Sequence, residues 1–127
     1  MRLDAATIDA MGPRFPTLAL AEVQVVASGP VSWFVRTVLR QGALAFSPFI
    51  FYGRSRFDPA QPATLPLLAH ELKHLEQYQR FGRLGFLSRY FTDLARNRFR
   101  YDRQLPLEAE AYAVQTAVEQ AIASPPT

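Results

Sequence analysis

Cysteine is absent from this chain, histidine occurs twice and lysine once, at Lys73. Without cysteine there is no disulfide framework and no thiolate metal site, so any metal must be held by nitrogen and oxygen ligands. Basic charge is carried almost wholly by arginine. The net charge of +3 and a pI near 9.7 permit contact with nucleic acid or acidic lipid without requiring either. A long apolar run is also missing. The stretch from Leu18 to Tyr52 is broken by Glu22, Arg36 and Arg40, so no membrane span is expected. The opening MRLDAATIDAMGP has acidic residues and no uninterrupted apolar core, unlike a signal peptide. The expectation is a soluble, cytoplasmic protein, with export lacking a cleaved signal left open.

What is present is the composition of a packed domain. Hydrophobic residues make up 49% and charged residues 20%, far from the balance of a disordered chain. At 127 residues the chain suits one domain, 1–127, and is too short for two ordinary ones. The text up to about Pro66 is rich in β-formers and turn residues. LALAEVQVVASGP suits a strand closed by a turn at Gly29-Pro30. VSWFVRTVLRQG has helical spacing with Gly42 as its stop. GALAFSPFIFYG carries Ser47-Pro48 inside an aromatic run, which predicts an edge strand or two short strands with a kink. RSRFDPAQPAT is a polar connection.

From there the pattern turns helical. One helix is expected from a Thr64 cap to about Phe81, stopped by Gly82, and a second from Leu84 to Phe99. The second would show a stripe of Leu84, Leu87, Tyr90, Phe91 and Leu94. A third is expected from about Pro106 to Ile122, followed by a frayed SPPT tail. The fold class predicted is α+β: a small, partly antiparallel sheet in the first half packed on the His70 helix, and a helical second half.

Both histidines fall in AHELKHLEQYQRFG, at His70 and His74. Residues four apart project from one helix face, so two imidazoles can reach a single ion. Glu71 sits roughly 100° round from His70, too far for a third ligand but able to lean over the open metal position as a general base. A third ligand must be acidic, because no further histidine or cysteine exists. Glu76 points away from the metal face, while Asp93 and Asp102 sit among arginines where ion pairing or solvation explains them. PLEAEAYA is different: Glu108 and Glu110 stand among alanines that let one helix approach another, and an acid in such a contact needs a partner. Acids in a first helical turn also complement the helix dipole, which is the plainer explanation.

HELKH followed by a helix and an E-x-x-A segment resembles the gluzincin branch of zinc metallopeptidases. EAEA, Glu108 to Ala111, is similar to the E-x-x-A part of the E-x-x-A-D motif in the membrane-bound prenyl-protein and heat-shock proteases. That resemblance implies Glu108 as the third zinc ligand, ahead of Glu110, and Tyr112 stands where the motif has its bracing Asp. With Gln77 in place, residues 65 to 115 also resemble small bacterial zincin-like domains with H-E-x-x-H-x-x-Q. Gln77 and Arg80 exclude the metzincin pattern, which needs Gly and His there. The resemblance further implies that GALAFSPFIFYG runs along the cleft beside an extended peptide, a role balanced by that of a plain core strand. Tyr90, Tyr101 and Tyr112 are available as oxyanion donors, although a tyrosine in an apolar stripe is more often core.

The expected function is therefore zinc-dependent hydrolysis of a peptide or protein substrate, with zinc on His70, His74 and Glu108 and with Glu71 as base. Two other readings stand beside it: a zinc-stabilised binding module without catalysis, and a metal-free basic adaptor. Arg89, Arg96, Arg98, Arg100 and Arg103 interleave with aromatics, but Asp93 and Asp102 interrupt them and no nucleic-acid motif surrounds them. A solvated face with local ion pairs is expected there, and no nucleic-acid partner.

Overall fold

The structure is a computed structural model and describes residues 1–37, 43–53, 58 and 63–123. Its elements run α1 (Ala5–Met11), β1 (Gln24–Val26), α2 (Pro30–Thr37), β2 (Ala43–Phe46), β3 (Phe49–Tyr52), α3 (Thr64–Arg96) and α4 (Pro106–Ala123). Short 3-10 turns at Gly12–Arg14 and Leu20–Glu22 lead from α1 to β1. This is the expected α+β arrangement, a small mixed sheet followed by a helical second half. Among the described residues no helix is long and apolar enough to cross a membrane.

Three strands form one sheet in the order β1-β3-β2. β3 lies at the centre, parallel to β1 with Val25 opposite Ile50, and antiparallel to β2 with Ala45 opposite Ile50. Ser47-Pro48, with a cis peptide bond, divides GALAFSPFIFYG into two paired strands, the second of the two forms expected for it. Alternation puts Val25, Ala43, Ala45, Ile50 and Tyr52 on the buried face. Leu44, Phe46 and Phe49 point the other way and stay partly exposed.

The LALAEVQVVASGP strand is shorter than its apolar text suggests, because Leu20–Glu22 turns before Gln24–Val26 extends. No element is expected in MRLDAATIDAMGP from its sequence, yet Ala5–Met11 within it forms α1. The Asp4 carboxylate accepts from the Thr7 backbone N–H at 2.8 Å, and burial of Thr7 and Met11 seats the helix. α2 begins at Pro30, one residue earlier than expected. Its predicted end at Gly42 falls outside the described residues, as do most of RSRFDPAQPAT and the SPPT tail.

α3 is two helical arms joined at Gly82, whose φ of 75° and ψ of 166° break the helix at the predicted stop. Thr64 opens the helix but caps nothing with its side chain, and Ala63 holds the cap position. In the first arm Leu68, Leu72 and Leu75 join the sheet's buried face and the core residues Met11 and Phe15. The opposite side of that arm meets α4. Pro106 sits at the first position of α4, where its missing N–H costs nothing. Ala111 is fully buried, so the alanine-rich first turns let α3 and α4 pack closely. The second arm corrects part of the predicted stripe: Leu84 is 83% exposed and Phe91 58%, while Leu87 and Tyr90 pack against the core and Phe86 is buried beside them.

Candidate metal centre

The first arm of α3 and the first turns of α4 bring three predicted residues together. His70, His74 and Glu108 are all buried, and one ligand atom from each lies within 4.8 Å of the others. Glu108 Oε1 faces both imidazoles, at 3.2 Å from His70 Nε2 and 2.8 Å from His74 Nε2. Glu108 Oε2 accepts from the Tyr90 hydroxyl at 3.1 Å. The alternative acid, Glu110, points elsewhere. It accepts from Gln77 Nε2 at 3.0 Å and lies 3.5 Å from the Arg80 guanidinium.

The far side of each imidazole is held by a glutamine. His70 Nδ1 is 2.9 Å from Gln115 Oε1, and His74 Nδ1 is 2.9 Å from Gln77 Oε1. The amide orientations follow from their other partners. Gln77 Nε2 donates to the Leu107 carbonyl and to Glu110, and Gln115 Nε2 donates to Glu119 at 3.2 Å. Those acceptors fix each amide oxygen toward a ring, so each Nδ1 carries the hydrogen. In a neutral imidazole that leaves the Nε2 lone pair aimed at the Glu108 carboxylate. Each Nε2 meets Glu108 either protonated, as an imidazolium donating a hydrogen bond to the carboxylate, or deprotonated, as a ligand that shares a cation with it. In the second form the donor set fits a metal ion, two nitrogens and one oxygen with the outer ring nitrogens already satisfied.

Titration follows the same geometry. Burial favours neutral His74, yet the hydrogen bond to Glu108 and the charge of Glu71 hold its pKa above the ordinary value. Burial works upward on Glu108 as well, but hydrogen bonds from His70 and His74 hold its carboxyl below the usual range. In Glu71, desolvation wins over the nearby histidines and pushes the carboxyl up. Glu71 is 5% exposed and lines the cavity above the cluster, and among the described residues no side chain hydrogen-bonds its carboxylate.

The cavity measures about 930 Å³ and is mostly apolar. Ala43, Leu44 and Ala45 of β2, Phe86 and Tyr90 of the second α3 arm, and Tyr101, Arg103 and Tyr112 contribute to its lining. β2 is an edge strand, and its Ala45 carbonyl accepts from Tyr78 at 3.4 Å. Of the three tyrosines named as oxyanion donors, Tyr90 is engaged with Glu108, while Tyr101 and Tyr112 bond each other at 2.7 Å.

Gln115 is not among the candidates the sequence offers, and Gln77 enters there only as a motif letter. Glu108, Gln115 and Glu119 recur at about two-turn and one-turn spacing on one face of α4, a signal that was available. Of the two roles expected for Asp93 and Asp102, ion pairing or solvation, ion pairing is not seen among the described residues, and Asp102 is exposed. Asp102 instead accepts from the Gln104 backbone at 2.7 Å, while Arg89 stacks over Phe81 at 4.1 Å and Arg103 over Tyr112 at 4.5 Å.

An α+β chain whose buried His–His–Glu cluster is close enough to bind a metal ion is the class that fold and site define. Residues 2–82, more than half of the chain, match the family model of the eCIS core domain, and the chain belongs to that family. The matched stretch includes His70, Glu71, His74 and Gln77, and ends before Glu108. No curated protein and no solved structure matches the chain.

Proposed function

We propose that this chain is a zinc-dependent, metallopeptidase-like member of its family, hydrolysing a peptide bond over the His70–His74–Glu108 cluster. The observation that supports the reading is the convergence of both Nε2 atoms on one Glu108 oxygen in a buried cluster, with each Nδ1 against a glutamine amide oxygen. Two imidazoles and a carboxylate with no thiolate suit zinc in a catalytic rather than a closed structural site. When bound, zinc supplies Lewis acidity, which lowers the pKa of water and polarises a carbonyl.

The remaining work belongs to the chain. Glu71, kept out of bulk water with a raised pKa, takes the proton of the attacking water and passes it to the leaving amine. Gln77 and Gln115 keep both imidazoles in the ligating tautomer. The edge of β2 presents backbone groups to an extended peptide, which lies in the mostly apolar cavity.

Metal analysis of protein purified without a histidine tag tests the first step, and one zinc per chain is expected. Near-zero zinc in folded protein would overturn the reading. Glu71→Gln separates binding from chemistry: zinc is retained, while hydrolysis of an unstructured peptide falls by about 10²–10⁴-fold, the usual share of a general base.

A second reading is favoured by the family match itself. The family is named for the core of extracellular contractile injection systems, and its matched residues stop short of Glu108. On that reading the chain is a non-catalytic module within a protein assembly, and zinc ties α3 to α4. Wild-type protein that holds zinc tightly and cuts no peptide would select it.

A further inference from the structure

The cavity lining holds a cation that the proposed chemistry does not use. Arg103 is the lone lysine or arginine among the described lining residues, and among the described residues it has no acidic partner. Its guanidinium lies over the Tyr112 ring, 4.5 Å from the centroid, and Tyr112 in turn packs edge-on against His70 at 4.5 Å. Stacking occupies the face of a guanidinium and leaves its edge N–H groups free, the edge that binds a carboxylate through two parallel hydrogen bonds.

The backbone beneath it is set. Asp102 Oδ1 accepts from Gln104 N at 2.7 Å, Leu105 N donates to the Asp102 carbonyl at 3.1 Å, and buried Leu105 anchors the turn. Tyr112 is held from the other side by the Tyr101 hydroxyl at 2.7 Å. Arg103 is therefore a stacked cation on the cavity lining, one aromatic ring away from the His70–His74–Glu108 cluster.

We infer that Arg103 is the carboxylate-binding residue of this cavity, so that the preferred substrate is an apolar peptide bearing a carboxylate near the bond presented to the cluster. The inference rests on the peptidase-like reading for the word substrate, but the binding it describes does not depend on turnover. Apolar walls from Leu67, Phe86, Leu87 and Phe91 suit the flanking side chain. The anion is a singly charged carboxylate rather than a phosphate, because Glu71, Glu108 and Glu119 already line the same space and repel a dianion more strongly. The carboxylate can be a C-terminus or an acidic side chain.

The test uses the full chain loaded with zinc and carrying Glu71→Gln, so that binding is read without cleavage. A labelled leucine- and phenylalanine-containing peptide is titrated in three forms: with a free C-terminus, as the C-terminal amide, and as an amide with glutamate after the apolar pair. At least one carboxylate form is expected to bind about tenfold more tightly than the neutral amide, the scale of one charge-assisted bidentate pair at a partly exposed site. Whichever form shows the preference identifies the source of the carboxylate. Arg103→Gln is expected to abolish that preference and leave the neutral amide's affinity unchanged, and Arg103→Lys to restore part of it. Equal binding of all three forms, equal weakening of all three by Arg103→Gln, or no binding at all overturns the inference. Selective binding without hydrolysis by protein retaining Glu71 would instead sink the peptidase reading and leave Arg103 its role.

Discussion

Before Gly82, α3 is buried nearly all round: Leu68, Leu72 and Leu75 meet the sheet, and His70, Glu71, His74, Gln77 and Tyr78 are equally shielded. After Gly82, Phe86 is the one buried residue in the rest of the same helix. The first arm has a partner on each side, the core below and α4 above, so it can hold polar groups in a dry place. The second arm has solvent on most of its surface. Its contribution is narrower: it folds back at the kink and returns two side chains to the site. Phe86 stacks on Tyr78 at 4.0 Å and meets the His74 ring at 5.8 Å, while Tyr90 reaches Glu108. The arms differ as carrier of the His70–His74 pair and as brace, and that division can be broken experimentally at three points.

The largest effect is expected at Phe86. Phe86→Ala leaves a hole between Tyr78, His74 and Tyr90, and a buried phenylalanine cut to alanine costs about 3–4 kcal/mol. Chemical denaturation of the metal-free protein measures this. A loss below about 1 kcal/mol would mean that the second arm does not brace the first, since a well-packed aromatic cannot be removed so cheaply.

Gly82→Ala comes next. No atom lies within 4 Å of where a Cβ would stand, so the substitution meets no steric obstacle. The backbone is the obstacle: φ 75° with ψ 166° is a region only glycine occupies freely, and alanine there costs about 1–3 kcal/mol. Alanine also favours continuing the helix straight, which would carry Phe86 and Tyr90 away from the site. Denaturation should show the loss, and zinc affinity should fall with it. If affinity holds while stability drops, the kink supports the fold without serving the cluster.

The two arms were unequally legible in the sequence. The i, i+4 spacing of His70 and His74 puts both on one face whatever the helix packs against, and a chain without cysteine or a third histidine leaves only acids to complete the set. Those constraints are local or compositional, and such constraints survive folding. Ser47-Pro48 announced the division of β2 from β3 for a similar reason, since proline's limits act on its own residue. The stripe of the second arm depended on knowing which neighbour it would face. Leu84, Leu87, Tyr90, Phe91 and Leu94 make a plausible apolar stripe, yet only Leu87 and Tyr90 of these pack on the core, Phe86 enters with them and Leu84 is left in solvent. Periodicity shows that a face exists without showing which face is covered. The same limit hid Gln115, whose role appears only once α4 crosses α3. It also hid α1, seven residues long, whose one local signal was the Asp4 cap.

The smallest of the three effects, and the sharpest about division of labour, is expected from Tyr90→Phe. Its ring stays, so the packing against Phe86 at 5.9 Å is kept, and only the hydroxyl donated to Glu108 Oε2 is lost. Burial and the Glu108 charge raise the Tyr90 pKa, so the group remains a neutral phenol and a hydrogen-bond donor throughout the neutral range. Without it, Glu108 Oε2 loses its side-chain donor while Oε1 still faces the two imidazoles. Outer-shell partners of metal ligands are worth about 10–100-fold in affinity, and the half-buried position of Tyr90 places the expected loss of zinc affinity near about tenfold. Metal-free stability should fall by about 1 kcal/mol. A competition titration with a chelator reads the first number and denaturation the second. If zinc affinity is unchanged and only peptide turnover falls, the hydroxyl acts on the reacting group, and the second arm is then part of the chemistry rather than a brace for it.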